Sequence, residues 1–127
     1  MRNTWIVAGG ISAFVAVAAG AFGAHALRER LSLEEKVVFE IAARYQMYHA
    51  LALLAVGIMS GIRPCRWLKF AGAAFFAGTV VFSGSLYALS LTGVRGWGAV
   101  TPFGGLGFLV GWACLAIGGT SRIRDGG

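Results

Sequence analysis

Two histidines, three tyrosines and a single glutamine interrupt otherwise apolar stretches of this chain. His25 and His49 carry the side chains that titrate near neutral pH, so an intramembrane pair of them could pass protons or small solutes. The same two imidazoles, one on each of two neighbouring helices, could also ligate a haem if they lay at matching depth. A hydrolase would need a nucleophile, a base and an orienting acid. Ser83 or Ser85 with His49 supplies the first two, but Phe82-Ser83-Gly84-Ser85 is not a G-x-S-x-G elbow and no acid lies inside a span. Cys65 and Cys114 have no Cys-x-x-Cys spacing and no second pair, hence neither a disulfide framework nor a metal signature.

The elements that must position these groups are set by the charges. Asn3–Leu27, Tyr45–Ile62, Phe70–Val94 and Gly96–Ser121 contain no Asp, Glu, Lys or Arg, and the sixteen formal charges fall in the gaps and ends. A helix rises about 1.5 Å per residue and a bilayer core is about 30 Å thick, so about 20 apolar residues cross it. Charged residues make up 13% of the chain, against about 25% in soluble domains. The expected fold is therefore all-α: an integral membrane antiparallel four-helix bundle, one domain over 1–127. Its spans are expected at about 5–27, 45–62, 68–94 and 100–120. There is no room for a separate soluble catalytic domain. The net charge of +6 is read as basic flanks against lipid headgroups, not as a nucleic-acid surface, because no basic stripe with interleaved aromatics exists.

The first span begins after Arg2 and ends near Ala24-His25-Ala26, which imitates a signal peptide with its cleavage site. Its apolar run is longer than a signal core, and we read it as a retained transmembrane helix. Between spans 1 and 2, Ser32-Leu33-Glu34-Glu35 fits a capping box. An amphipathic helix over about 33–44, with Leu33, Val37, Val38 and Ile41 on one face, is expected to rest at the interface and lead into span 2. Span 4 is expected to open near Thr101-Pro102, with the proline in the first turn.

Small residues form two candidate packing stripes, Ala16, Gly20 and Ala24 on span 1 and Gly104, Gly107 and Gly111 on span 4. Such stripes let helix backbones approach closely where lipid supplies no hydrophobic drive. They suggest packing within the bundle, against a second copy, or against a larger complex. Counting basic residues gives Arg2, Arg63, Arg66, Lys69, Arg122 and Arg124 on one side, against Arg28, Arg30, Lys36, Arg44 and Arg95 on the other. That favours both termini in the cytoplasm.

Antiparallel spans bring the polar residues toward one leaflet. The candidate cluster is His25, Arg44, Tyr45, Gln46, His49, Ser83, Ser85, Tyr87 and Thr101. Polar groups inside a bilayer are costly and face the interior or water. Hydrogen-bonding glue between helices is the preferred reading, with His25 and His49 sharing a network through Gln46 or Tyr45. A conduit is the rival reading, and haem or enzymatic chemistry comes third. No cofactor is otherwise expected.

Four segments in order, Gly20-Ala21-Phe22-Gly23-Ala24-His25, Tyr45-Gln46-Met47-Tyr48-His49-Ala50-Leu51-Ala52-Leu53, Phe82-Ser83-Gly84-Ser85-Leu86-Tyr87 and Thr101-Pro102-Phe103-Gly104-Gly105, resemble one family. It is the domain of unknown function 423, small four-span membrane proteins of bacteria with mitochondrial relatives. The resemblance implies the same topology and an inner-membrane location. It implies no activity, substrate or cofactor. An accessory or structural subunit of a membrane assembly is the expected role.

Overall fold

The computed structural model describes residues 2–120, and of Arg2, Asn3 and Ala24 it describes the backbone alone. Arg122 and Arg124 of the basic tail therefore lie outside the described residues. The first span is α1 (Arg2–Val17), which widens into a π-helical segment over Ala18–Gly23 and ends in a helical turn, Ala24–Ala26. Three further helices follow: α2 (Leu33–Ile62), α3 (Arg66–Thr92) and α4 (Trp97–Thr120). All four are long and apolar enough to cross a membrane.

The start of α2 is fixed by its capping box. Ser32 Oγ accepts the Glu35 N–H at 3.1 Å, and Glu35 Oε1 accepts the Ser32 N–H at 2.9 Å, so two otherwise orphaned donors are satisfied. From there α2 runs unbroken for 30 residues. The interfacial segment and span 2 are thus one helix of about 45 Å, longer than the hydrocarbon core. Its first turns carry exposed Glu34, Glu40 and Arg44 on one side, while Phe39, Ala42 and Ala43 are buried on the other. Pro64 lies just past its end, where the preceding residue is steered away from helix. At the end of α3, Gly93 takes φ +71° and its N–H donates to Leu89 O at 2.8 Å. A side chain there would strain the left-handed cap.

The structure departs from expectation at the start of α4. The helix begins at Trp97, so Pro102 is its sixth residue and lies inside it. The intrahelical bond that would end on the Gly98 carbonyl is missing, because proline has no N–H to give.

Contacts between neighbours run in reverse order, as antiparallel packing requires. Between α1 and α2, the Gln46 amide reaches Ser12, while Gly9 lies against Ala50 and Leu54, and Gly23 against Phe39. Between α2 and α3, the Phe39 and Tyr87 rings lie 5.2 Å apart, and those of His49 and Phe75 5.6 Å apart. Between α3 and α4, Gly104 meets Phe82, Gly111 meets Phe75 and Gly118 meets Leu68. The central pair is α2 and α3, with α1 packed on α2 and α4 on α3. Leu53, Val56, Ala71 and Phe75 form the fully buried centre. Large apolar side chains such as Phe14, Phe22, Phe103 and Leu109 point outward, as a lipid solvent allows.

The two small-residue stripes behave differently. On α4, a Cβ at Gly111 would lie 2.6 Å from the Phe75 ring and one at Gly107 3.2 Å from Gly78 Cα, while one at Gly104 would collide with the Phe82 backbone. This stripe is spent on packing within the chain. On span 1, Ala16 is buried, but Gly20 is exposed, and an added Cβ would only touch the Ala43 Cβ at 3.9 Å. The side chain of Ala24 lies outside the described residues. The close approach on this helix is Gly9 instead, where a Cβ would lie 2.8 Å from Ala50 O.

This arrangement carries a direct topological expectation. Single cysteines placed at Arg30 and Arg95 should be labelled by an impermeant reagent from one side, and a cysteine at Arg63 from the other. Labelling of positions 30 and 63 from the same side contradicts the four-span path.

Candidate functional site

Gln46 and His49 are three residues apart on α2, and both are buried. Both reach α3, but Gln46 also reaches α1 and His49 also reaches α4. Gln46 Nε2 donates to Ser12 O at 3.1 Å and lies 3.4 Å from Ser12 Oγ, tying α2 to α1. Its Oε1 accepts the Tyr87 hydroxyl at 2.7 Å, tying α2 to α3. One amide thus joins three helices.

His49 faces α3 and α4. Its Nδ1 lies 2.7 Å from the Tyr45 carbonyl, an acceptor only, so Nδ1 carries the hydrogen. Its Nε2 is then the lone-pair nitrogen, and it accepts the Trp112 indole N–H at 3.0 Å. The tautomer is assigned from these partners. The imidazole lies flat on Phe108, with centroids 3.5 Å apart and planes 4° from parallel, while Phe75 and Trp112 close the cage at 5.6 and 5.7 Å. Both nitrogens are spent, and both ring faces are screened by aromatic neighbours.

The remaining polar groups add cross-ties. Ser83 Oγ donates to the Ala42 carbonyl at 2.8 Å, bridging α3 to α2. The hydroxyls of Ser85 and Thr101 lie 2.6 Å apart, bridging α3 to α4. Within α3, Ser90 Oγ donates to Tyr87 O. Every neighbouring pair of helices is thereby joined by at least one side-chain hydrogen bond.

Two of the residues grouped from the sequence, His25 and Arg44, do not join this network, and Tyr45 joins it through its backbone. His25 is exposed on the turn that ends span 1. Span 1 packs on the Gln46 flank of α2, whereas His49 points to α3 and α4, so the two imidazoles share no network. Arg44 is exposed and ion-paired with Glu40 one turn earlier, on the outer surface of α2. Tyr45 is half-exposed; its carbonyl is the acceptor for His49 Nδ1, and its ring meets Tyr48 and Phe82 and lies roughly parallel to the His49 imidazole at 6.3 Å. A haem held by His25 and His49 does not fit, because His49 has no free nitrogen and His25 lies on another flank. A serine hydrolase arrangement does not form either, since the Ser83 and Ser85 hydroxyls bond elsewhere and neither reaches His49. Among the described residues, no group of three or more His, Cys, Asp or Glu side chains could hold a metal ion.

The sequence reading missed Ser12, Phe75, Phe108 and Trp112. Trp112 carried a usable signal: an indole N–H in the middle of an apolar span needs an acceptor, and a histidine on a neighbouring span is one. Ser12 carried none, since serine in a membrane helix commonly bonds its own backbone.

On the other flank of α2, α1 and α3 do not close over the helix, and a groove of about 560 Å³ remains between them. Ile11, Val15, Phe76 and Val80 form its apolar walls, with Ser12, Gln46, Thr79 and Tyr87 among its polar lining.

The profile of the family described as "Protein of unknown function (DUF423)" matches residues 19–105. A UPF0382 membrane protein of Staphylococcus saprophyticus is 50% identical over 116 residues, covering 91% of this chain and 96% of that protein. A UPF0382 membrane protein of Staphylococcus epidermidis is 48% identical over 115 residues, covering 91% and 93%. The UPF0382 inner membrane protein YgdD of Escherichia coli is 40% identical over 116 residues, covering 91% and 88%. No solved structure matches. The matched segment contains Gln46, His49, Ser83, Ser85, Tyr87 and Thr101, and it joins with the four membrane-crossing helices in one conclusion: this chain is a small multi-pass membrane protein of the DUF423 family.

Proposed function

We propose that the chain is a structural or accessory component of an inner-membrane assembly, and that its intramembrane polar residues are helix-to-helix ties. The observation that carries this reading is the state of His49, whose two nitrogens are taken by Tyr45 O and the Trp112 N–H. A titrating relay needs a nitrogen that can take up and release a proton along a path. Here the second histidine stands apart, and the groups around His49 are aromatic. The inner-membrane location is supported by the printed name of the Escherichia coli relative. Termini on the cytoplasmic side are supported by the basic residues at Arg63, Arg66 and Lys69 in the α2–α3 turn region. Much of the outward surface is large and apolar, available to lipid, to a second copy or to a larger partner.

Purification from the native membrane in mild detergent tests this. The expected result is co-elution with larger membrane subunits in fixed proportion, identified by mass spectrometry, with no Soret band in the absorption spectrum. A chain that elutes alone, and that passes protons above the level of empty liposomes when reconstituted, contradicts the accessory reading.

A further inference from the structure

A second cavity, of about 370 Å³, lies where the π-helical end of span 1 meets the first turns of α2, lined by Gly20, Leu31, Lys36, Phe39 and Glu40. Its volume falls within the range typical of small-molecule sites. Gly20 and Glu40 are exposed, Leu31 and Lys36 are half-buried, and of the five only Phe39 is buried. Gly20 keeps the cavity open, since a Cβ there would touch only the Ala43 Cβ, at 3.9 Å. The cavity holds one cation and one anion, four residues apart on α2, and they do not pair with each other. Glu40 turns to Arg44 through Oε1, and its Oε2 takes no bond among the described residues. The Lys36 ammonium has neither an ion pair nor a hydrogen bond among the described residues.

Depth and charge narrow the occupant. At about 45 Å, α2 exceeds a hydrocarbon core of about 30 Å by about ten residues. Arg63, directly after its last residue, marks the far interface, so the excess falls at the start of the helix. Lys36 and Glu40 are its fourth and eighth residues and therefore stand at headgroup level. Leu31 and Phe39 supply an apolar wall beside them, and Gly20, level with Ala43, opens the cavity toward the span. A soluble anion would find Lys36 but also Glu40, which repels it, and it would leave the apolar wall uncovered. A phospholipid with a net negative headgroup meets the same repulsion. A headgroup carrying both a phosphate and a primary ammonium answers both side chains. Side chains four apart on a helix are neighbours, about 6 Å between Cβ atoms, a gap that an ethanolamine linkage spans. The ammonium donates N–H to a carboxylate, which a quaternary choline cannot do. We propose that this cavity binds one phospholipid with a phosphoethanolamine headgroup, its phosphate on Lys36, its ammonium on Glu40 Oε2, and the start of an acyl chain over Leu31 and Phe39. The site does not depend on whether the chain joins a larger assembly.

The test is native mass spectrometry of the purified full chain in detergent, titrated with dioleoylphosphatidylethanolamine, dioleoylphosphatidylcholine or dioleoylphosphatidylglycerol. The expected result is one saturable phosphatidylethanolamine per chain, bound about fivefold more tightly than phosphatidylcholine, the worth of one net hydrogen bond. Glu40→Gln should erase that preference, and Lys36→Gln should weaken binding of all three lipids. Arg44→Gln changes the partner of Glu40 outside the cavity and should keep the preference. Gly20→Leu fills the cavity from an exposed position with room for a side chain and should abolish the saturable lipid; melting curves check that each variant folds. Equal affinity for the three lipids overturns the proposal, as does binding that neither Lys36→Gln nor Gly20→Leu changes. Tighter binding of phosphatidylglycerol would make the cavity a plain anion site. Displacement of the lipid by glycerophosphoethanolamine would give it to a soluble headgroup, and a dimer that Gly20→Leu converts to monomer would give it to a second copy. Each of these three results also overturns the assignment.

Discussion

Gly104→Ala is expected to lower stability by about 3 kcal/mol, at the upper end of overpacking costs. The added Cβ would fall on the backbone N, Cα and Cβ of Phe82, and backbone cannot swing aside as a flexible side chain can. Relief requires α3 and α4 to separate, which also lengthens the Ser85–Thr101 contact and disturbs the Phe82–Phe108 pair, now 5.2 Å apart. Gly84→Ala is the matched control. It is helical, and its new methyl meets no atom within 4 Å, so it should be neutral or slightly stabilising, within about 1 kcal/mol. Melting curves in one detergent compare the two. Equal melting temperatures would mean that α3 and α4 do not approach as closely as described.

His49→Leu should cost about 3 kcal/mol, because it strands the Trp112 N–H away from water and removes the stacked ring on Phe108. Trp112→Phe should cost less, since it leaves only an acceptor lone pair unmet. The informative variant is the pair together. Replacing both partners by apolar groups is close to neutral in many buried sites, so the double variant should be more stable than the two single costs added together predict. Strict additivity would show that the two side chains do not interact, since contacting residues couple and distant ones do not.

Much of the architecture was written in the positions of charge. The four uncharged runs predict four spans, and Ser32 with Glu35 predicts where α2 begins. The helix expected over about 33–44 reads as leading into span 2, and the two are one helix, Leu33–Ile62; Arg44, which marks the start of the uncharged run, rides on its outer surface paired with Glu40. Gly20 faces Ala43 of α2, but an added Cβ there would reach it only at 3.9 Å, and the close approach falls at Gly9, which no stripe marked. Pro102 was assigned to a first turn because local preference puts it there, whereas Trp97 starts the helix earlier.

The candidate site was legible by residue type but not by direction. Gln46, His49, Ser83, Ser85, Tyr87 and Thr101 do lie in inter-helix bonds. Which of them meet depends on facing angles: Gln46 and His49 lie about 60° apart around α2, so both reach α3, while Gln46 also reaches α1 and His49 reaches α4. The expected pairing of His25 with His49 failed for that reason. Two histidines on neighbouring spans say nothing of which flank each one faces.

The central claim is that His49 is a spent tie, not a carrier. It is tested most directly by nitrogen-15 NMR of the histidine-labelled and tryptophan-labelled protein in a membrane mimetic. The expected spectrum shows a neutral ring with hydrogen on Nδ1, an unprotonated Nε2, and a scalar coupling across the bond from the Trp112 Nε1–H to His49 Nε2. A ring protonated on Nε2, or one that exchanges its hydrogen with water and shows no coupling to Trp112, would contradict it.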